Sequence, residues 1–549
     1  MNLEYLQQKE WQKFLSEELP TTPWITVYKF NRDGKDDIAI FSGIIPLDKI
    51  KKSLETDSWD ISIGEGHPGF VTYFSNGEED RTEYKRNLND LMVEPVVICR
   101  EFNGMKENYL EIQEEFRLYH NLYKDPKRDV YVKIYDDGNE EDAVVIENKQ
   151  VKIRTKLLKN YIAAKQMALA IYFENFRYST EEFTEDEYHL HSYDKRDENF
   201  SFSLHIGPWS SVSGDNNKTI SVLLGKRIIL PPPFKKSGRW PFEERNAKFE
   251  DFIIGTDEEG EHIFYTSNPG KLANYFGANP GAPHFLTPVF FKKEVLTKYY
   301  NNPEKYSVED GYLRCGGLWG LQMDNDHPDV VMVFLGYLGQ GLFHSEQLYW
   351  KSYNIPPEGK ISATCFKRSF MAQFADPTSE DLTFKSKFIQ FLEKWSAKFG
   401  WPLFLPLNKD DSHLFTSLHV PVTNDHSEFD SQILAISKIL IDSLNEKEIE
   451  KATKADTKEL PGIAKFGHFL CENSLDNHEN HIEFLKDLYA LRSSGVGHRK
   501  GKRFANVAKR FSLDEKPLKE VFVNILNRAE EMLDTLEAHF FVVPHKKEM

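Results

Sequence analysis

From about Asn424 to the C-terminus, apolar residues return every three or four positions, and this period constrains the chain more than any other feature. Phe429, Ile433, Ile436, Leu440 and Leu444 form a first stripe. Ile463, Phe466, Phe469 and Leu470 form a second, and Ile482, Leu485, Leu488 and Leu491 a third. Leu518, Phe522, Ile525, Ala529, Leu533, Leu536 and Phe540 form a fourth, opened by Asp514 as a cap with Pro517 in the first turn. A helix with one apolar stripe is stable only when that stripe is covered. Residues 424–549 are therefore expected to form an all-α bundle of four to five helices.

Upstream the period shortens. Trp24 to Tyr28 reads as a strand. Val130, Val132 and Ile134 alternate before Asp137-Gly138, with Val144, Ile146, Val151 and Ile153 beyond it, which is the pattern of a hairpin. From Lys156 to about Asn175, Leu158, Tyr161, Ile162, Ala168 and Ile171 fit helical steps, so a helix is expected to close a mixed α/β domain over residues 1–175. Residues 176–423 carry short β-rich runs (Ser201 to Ile206, Ile220 to Leu230, Val330 to Leu335) between Gly, Pro and Asn clusters. They are expected to make a sandwich or barrel-like unit with long loops. A bracing helix carrying Phe384, Phe388, Phe391, Leu392 and Trp395 follows. The expected fold class is thus α+β and multidomain, in keeping with 549 residues, more than one core supports.

Charge narrows the partners. A formal net charge of -17 repels polyanions at long range, so any nucleic-acid contact must be local. Cys99, Cys315, Cys365 and Cys471 lie far apart with no CxxC pair, which argues against a zinc ribbon or disulfide scaffold and suits reduced thiols in a cytosol. The first ten residues have neither a basic n-region nor an apolar h-region, and no run approaches the roughly 18 apolar residues of a membrane span. A cytoplasmic protein with no membrane partner is expected.

One local pattern joins spacing to chemistry: Arg492-Ser493-Ser494-Gly495-Val496-Gly497-His498, at the end of the third stripe. It is the chain's single arginine followed by histidine after four to six residues. On an uninterrupted helix the two side chains would stand about 240° apart. Gly495 and Gly497 let the chain turn after Ser494 and bring His498 back toward Arg492. A neutral imidazole can take the ribose 2′-hydroxyl proton while a guanidinium grips the phosphate and stabilises the charge that builds on it, and this chemistry requires no metal or cofactor. Arg499, Lys500, Lys502 and Arg503, with Lys509 and Arg510 beyond, offer local attraction for phosphate. Ser493 and Ser494 can hydrogen-bond an RNA backbone.

The segment Leu485 to His498 resembles the motif of the HEPN superfamily of helical nucleotide-binding and ribonuclease domains, over about the last fifth of the chain. The resemblance implies a bundle that pairs into a homodimer or higher homo-oligomer, with Arg492 and His498 as catalytic residues of a composite RNA-cleaving site. It also implies toxin-like or anti-phage effectors answering a phage-derived or nucleotide trigger. This chain has Ser493 where the family often carries Asn, Asp or His. The expected function is a metal-independent endoribonuclease leaving 2′,3′-cyclic phosphate ends and regulated by the N-terminal region. The alternative is a non-catalytic nucleotide-binding or dimerisation protein.

Other clusters point to structure. His189, His191, Asp194 and His205 could face a metal, as a third, hydrolase reading requires, but fit a polar loop over Glu181 to Glu198 better. Asp324, Asp326, His327 and Asp329 surround Pro328 as a turn would. Gly336, Gly339 and Gly341 follow a strand without the order of a phosphate-binding fingerprint. Glu114 and Arg117 have salt-bridge spacing on a helix, with Glu115 and His120 beside them.

Overall fold

The computed structural model describes residues 3–18, 22–34, 36–55, 69–74, 80–86, 91–147, 149–210, 216–239, 247–357, 362–371, 373–495 and 507–541. The chain divides into two compact units, residues 1–246 and 247–549.

The first unit is built on an eleven-stranded antiparallel sheet. Its strands run Tyr193–Arg196, Phe200–Pro208, Thr219–Ile229, Ala168–Ser179, Asp36–Ile45, Trp24–Asn31, Gln150–Arg154, Glu140–Glu147, Val130–Ile134 and Leu122–Lys124, with Glu94–Pro95 pairing Asp36–Ile45 to the side. The expected hairpin at Asp137-Gly138 is there, with Glu140 opposite Ile134. Helix Thr155–Lys165 packs Leu157, Leu158, Tyr161 and Ile162 into the larger core of this unit.

That helix stops short of the expected end at Asn175. Gln166 takes a left-handed conformation (φ 51°), and the chain re-enters the sheet as Ala168–Ser179. Leu169, Ile171 and Phe173 point into the larger core, while Ala168, Ala170 and Tyr172 point into a smaller one on the opposite face. A strand buried on both faces is apolar at every position, so its period of two disappears and helical spacings arise by coincidence. The expected boundary at residue 175 falls inside this strand, which pairs along its length with Asp36–Ile45 and Thr219–Ile229.

The strands expected to form one β-rich unit are split. Phe200–Pro208 and Thr219–Ile229 complete the first sheet. Those after residue 247 form three small sheets in the second unit: Asp251–Thr256 with His262–Thr266; Val330–Phe334, Pro288–Lys292 and Asn354–Ile355; and Tyr306–Glu309, Tyr312–Cys315 and Trp319–Gln322. Strand spacing locates strands but carries no information on which distant strand each will pair with.

The second unit ends in the helical bundle. His426–Ser437, Gly462–Glu472, His478–Gly495 and Leu518–Phe541 follow the four stripes, and their apolar faces form one continuous core. The first turn of the last helix is capped from a distance, its Leu518 amide donating to Asn424 Oδ1 at 2.8 Å. Helix Glu380–Phe399, expected to brace the β-rich unit, instead belongs to the bundle: Phe384, Phe388, Phe391 and Trp395 are buried in its core. It is laced to Leu518–Phe541 by Lys387–Glu530 (3.1 Å), Lys387–Asp534 (2.9 Å) and Lys394–Glu537 (2.8 Å). Among the described residues no helix is long and apolar enough to cross a membrane.

Candidate functional site

Helix His478–Gly495 buries Leu485, Leu488 and Leu491, which leaves Arg492 half-buried at the rim of the bundle. Its Nη1 donates to Asp442 Oδ2 at 2.7 Å, and its guanidinium carbon lies 5.4 Å from the centroid of the Tyr489 ring. Among the described residues, Asp442 is its only hydrogen-bond partner. Asp442 ends a π-helical turn, Lys438–Asp442, that continues helix His426–Ser437. There the Ser443 amide reaches back to the Lys438 carbonyl (3.1 Å), a five-residue step, and the extra residue in the turn sets where Asp442 projects. Lys438 is tied in turn to Asp411 at 2.7 Å.

The neighbours of Arg492 are only partly described. Ser493 Oγ donates to the Ala490 carbonyl (3.2 Å), so its proton is used within its own helix. The backbone stays helical through Ser494 and Gly495, so no turn occurs directly after Ser494. His498, Arg499, Lys500, Lys502 and Arg503 lie outside the described residues. On either side of 496–506 the chain is fixed to the same helix: Gly495 ends it, while Arg510 pairs with Asp487 on it and Val507 and Phe511 enter the bundle core. Arg510, expected to attract phosphate, is thus engaged by a buried carboxylate, whereas Lys509 is exposed.

Asp442 was not legible as a site residue. It stands fifty positions before Arg492, the bond spans two helices, and no local spacing announces it.

The remaining candidates resolve into structure. His189 and His191 lie on helix Glu185–His191, not in a loop. Thr184 and Glu187 cap it reciprocally, a box readable in the sequence. His191 Nδ1 is 3.2 Å from Gln7 Nε2. Among the described residues no group of three or more His, Cys, Asp or Glu side chains is placed to hold a metal ion. Asp324 accepts from the amide and hydroxyl of Ser362 (both 3.0 Å), which opens helix Ala363–Phe370. Asp326 accepts from the Thr378 and Ser379 amides (2.7 Å each). Gly336, Gly339 and Gly341 belong to the short helix Leu335–Gly341; a Cβ on Gly339 would lie 1.9 Å from the Ser267 carbonyl oxygen. Glu114 and Arg117 pair at 3.7 Å, and His120 is buried with Nε2 2.9 Å from the Leu157 carbonyl.

No family model, curated protein or solved structure matches this chain.

Proposed function

We propose that the C-terminal bundle is a metal-independent endoribonuclease in which Arg492 clamps the scissile phosphate and His498 takes the 2′-hydroxyl proton, leaving 2′,3′-cyclic phosphate ends. The observation that carries this reading is the placement of Arg492: a guanidinium at the solvent edge of the bundle, held in place by one carboxylate, at the point where the glycine-containing segment to His498 begins. A guanidinium has five N–H donors in a planar fork, so a single contact to Asp442 leaves donors for a phosphate. Two bundles brought together in a homodimer would set two such pairs in one cleft. Residues upstream of the bundle hold the activity in check until a phage-derived or nucleotide trigger arrives, because an unrestrained ribonuclease would destroy the RNA of its own cell. This is the chemistry of a toxin-like or anti-phage effector.

The contact with Asp442 also supports a second reading, in which Arg492 serves as a helix-end ion pair of a non-catalytic dimerisation or nucleotide-binding bundle. The two separate in one experiment: growth and bulk RNA integrity in a host expressing the chain beside Arg492→Ala and His498→Ala at matched soluble levels, with and without phage. Arrest or protection with RNA fragmentation, lost in both variants, supports the ribonuclease. Variants as active as the parent chain leave the non-catalytic reading.

A further inference from the structure

The second unit contains a cleft of about 880 Å³, in the range of small-molecule sites. Strand Tyr306–Glu309 supplies one wall, helix Glu380–Phe399 the floor, short helix His413–Thr416 another wall, and the stretch after helix Ala363–Phe370 the mouth. Leu382, Ile389, Phe415 and Phe374 make its surface largely apolar.

Two cations reach it, and they differ. Arg368 is spoken for: it grips both oxygens of Asp310 (2.7 and 2.6 Å) and also donates to the Ala375 carbonyl. Half-buried Lys385 is not. Its Nζ donates to the Thr416 carbonyl at 2.9 Å, and among the described residues no carboxylate lies within ion-pair distance. An ammonium has three donors, so two remain unused. The nearest acid on its own helix, Asp381, is buried and already accepts from Ser379 Oγ (2.6 Å) and the Val420 amide (3.3 Å). Burial lowers the Lys385 ammonium from its usual value to about 8, against the pull of Asp381 and of Glu309 on the facing strand, as expected of a cation set among protein atoms without a counterion.

We propose that this cleft binds a small organic acid, its single carboxylate against Lys385 Nζ and its apolar body over Leu382, Ile389 and Phe415. The exposed acids at the rim, Glu309 and Asp376, argue against a polyphosphate, which would bring several negative charges to one unpaired ammonium. The site is independent of the ribonuclease reading.

The test is calorimetric titration of the full-length chain with 3-phenylpropionate and with the uncharged 3-phenylpropan-1-ol. The acid should bind at least tenfold more tightly than the alcohol, and Lys385→Met should remove that preference while leaving the alcohol's affinity unchanged. Acid affinity should fall about tenfold between pH 7 and pH 9 as the amine loses its proton. Ile389→Trp, at a half-exposed position of the cleft, should block both ligands without unfolding the bundle. No binding of the acid at millimolar concentration, equal affinity for acid and alcohol, or an unchanged preference in folded Lys385→Met would each overturn the proposal.

Discussion

Arg492 and Asp442 meet across two helices, Nη1 to Oδ2 at 2.7 Å, with their side chains about one-fifth and two-fifths exposed. A pair this accessible is screened by water and salt and contributes roughly 0–1 kcal/mol to stability. Arg492→Ala should therefore shift the urea midpoint of the bundle by less than about 1 kcal/mol while abolishing RNA fragmentation. A loss of activity accompanied by loss of the folded bundle would assign Arg492 a structural part instead.

Asp442 gives a companion experiment. Asp442→Asn keeps an acceptor for the guanidinium but removes the charge that competes with phosphate. RNA affinity, measured by fluorescence anisotropy with a His498→Ala partner substitution to prevent cleavage, should rise by about two- to tenfold, on the order of 0.5–1.4 kcal/mol. Unchanged or weaker binding would mean that Asp442 orients Arg492 more than it competes for it.

The two units should soften at different pH. Burial, opposed in part by the Leu157 contact and reinforced by Lys133 and Arg239, lowers His120 in the first unit from 6.5 to about 4. The folded ring is neutral where the unfolded ring takes up a proton, so this stabilisation is complete above about pH 6.5 and is lost as pH falls toward 4, by roughly 3 kcal/mol. In the second unit, His419 places both ring nitrogens on acceptors, Nδ1 2.6 Å from the Ser417 carbonyl and Nε2 3.0 Å from Glu428 Oε1, while stacking on Tyr300 at 3.6 Å. Burial would raise the Glu428 carboxyl, but hydrogen bonds from His419, Thr423 and the Val422 amide outweigh it and hold it at about 2. Its contribution is present above about pH 4.5 and is lost between there and pH 2. Urea midpoints followed separately for each unit should show the first declining from pH 6.5 and flattening in His120→Gln. A first unit indifferent to pH between 6.5 and 4 would contradict the buried neutral imidazole.

What could be read from the sequence follows the range of the interactions that determine it. The four stripes of the bundle and the hairpin at Asp137-Gly138 are local patterns, and the chain folds as they specify. Strand Ala168–Ser179 was hidden because Leu169 and Ala170 face opposite cores and both are apolar. Helix Glu380–Phe399 was visible, but its allegiance was not: Lys387 and Lys394 find their carboxylates roughly 140 positions later. The same holds at the site. Arg492 could be picked out from its spacing and its helix, whereas Asp442 depends on how two helices cross.

Asp326 resembles a cation ligand in sequence and acts as a loop anchor in the fold. It is buried, and it accepts two amides and the Thr378 hydroxyl (3.0 Å) just before helix Glu380–Phe399. Asp326→Ala strands those donors and should cost about 2–4 kcal/mol, with Asp326→Asn losing less because one oxygen remains. Calcium or magnesium should leave the parent chain's melting temperature unchanged; a rise that Asp326→Ala abolishes would restore the metal reading.

The bundle core offers the sharpest separation of packing from polarity. Trp395 is fully buried, with the rings of Phe399 (4.5 Å), Phe540 (5.1 Å), Phe391 (5.5 Å) and Trp401 (5.7 Å) around it. Its indole Nε1 has no hydrogen-bond partner among the described residues. Trp395→Ala leaves a cavity between helix Glu380–Phe399 and helix Leu518–Phe541 and should cost about 3–5 kcal/mol. Trp395→Phe removes part of the ring together with an N–H that gains nothing from burial, so those terms oppose one another and the loss should be held to about 1–2 kcal/mol. Equal costs for the two substitutions in chemical denaturation would mean that the indole N–H is satisfied, by water or by the chain, and that its hydrogen bond rather than the surrounding rings holds this part of the core.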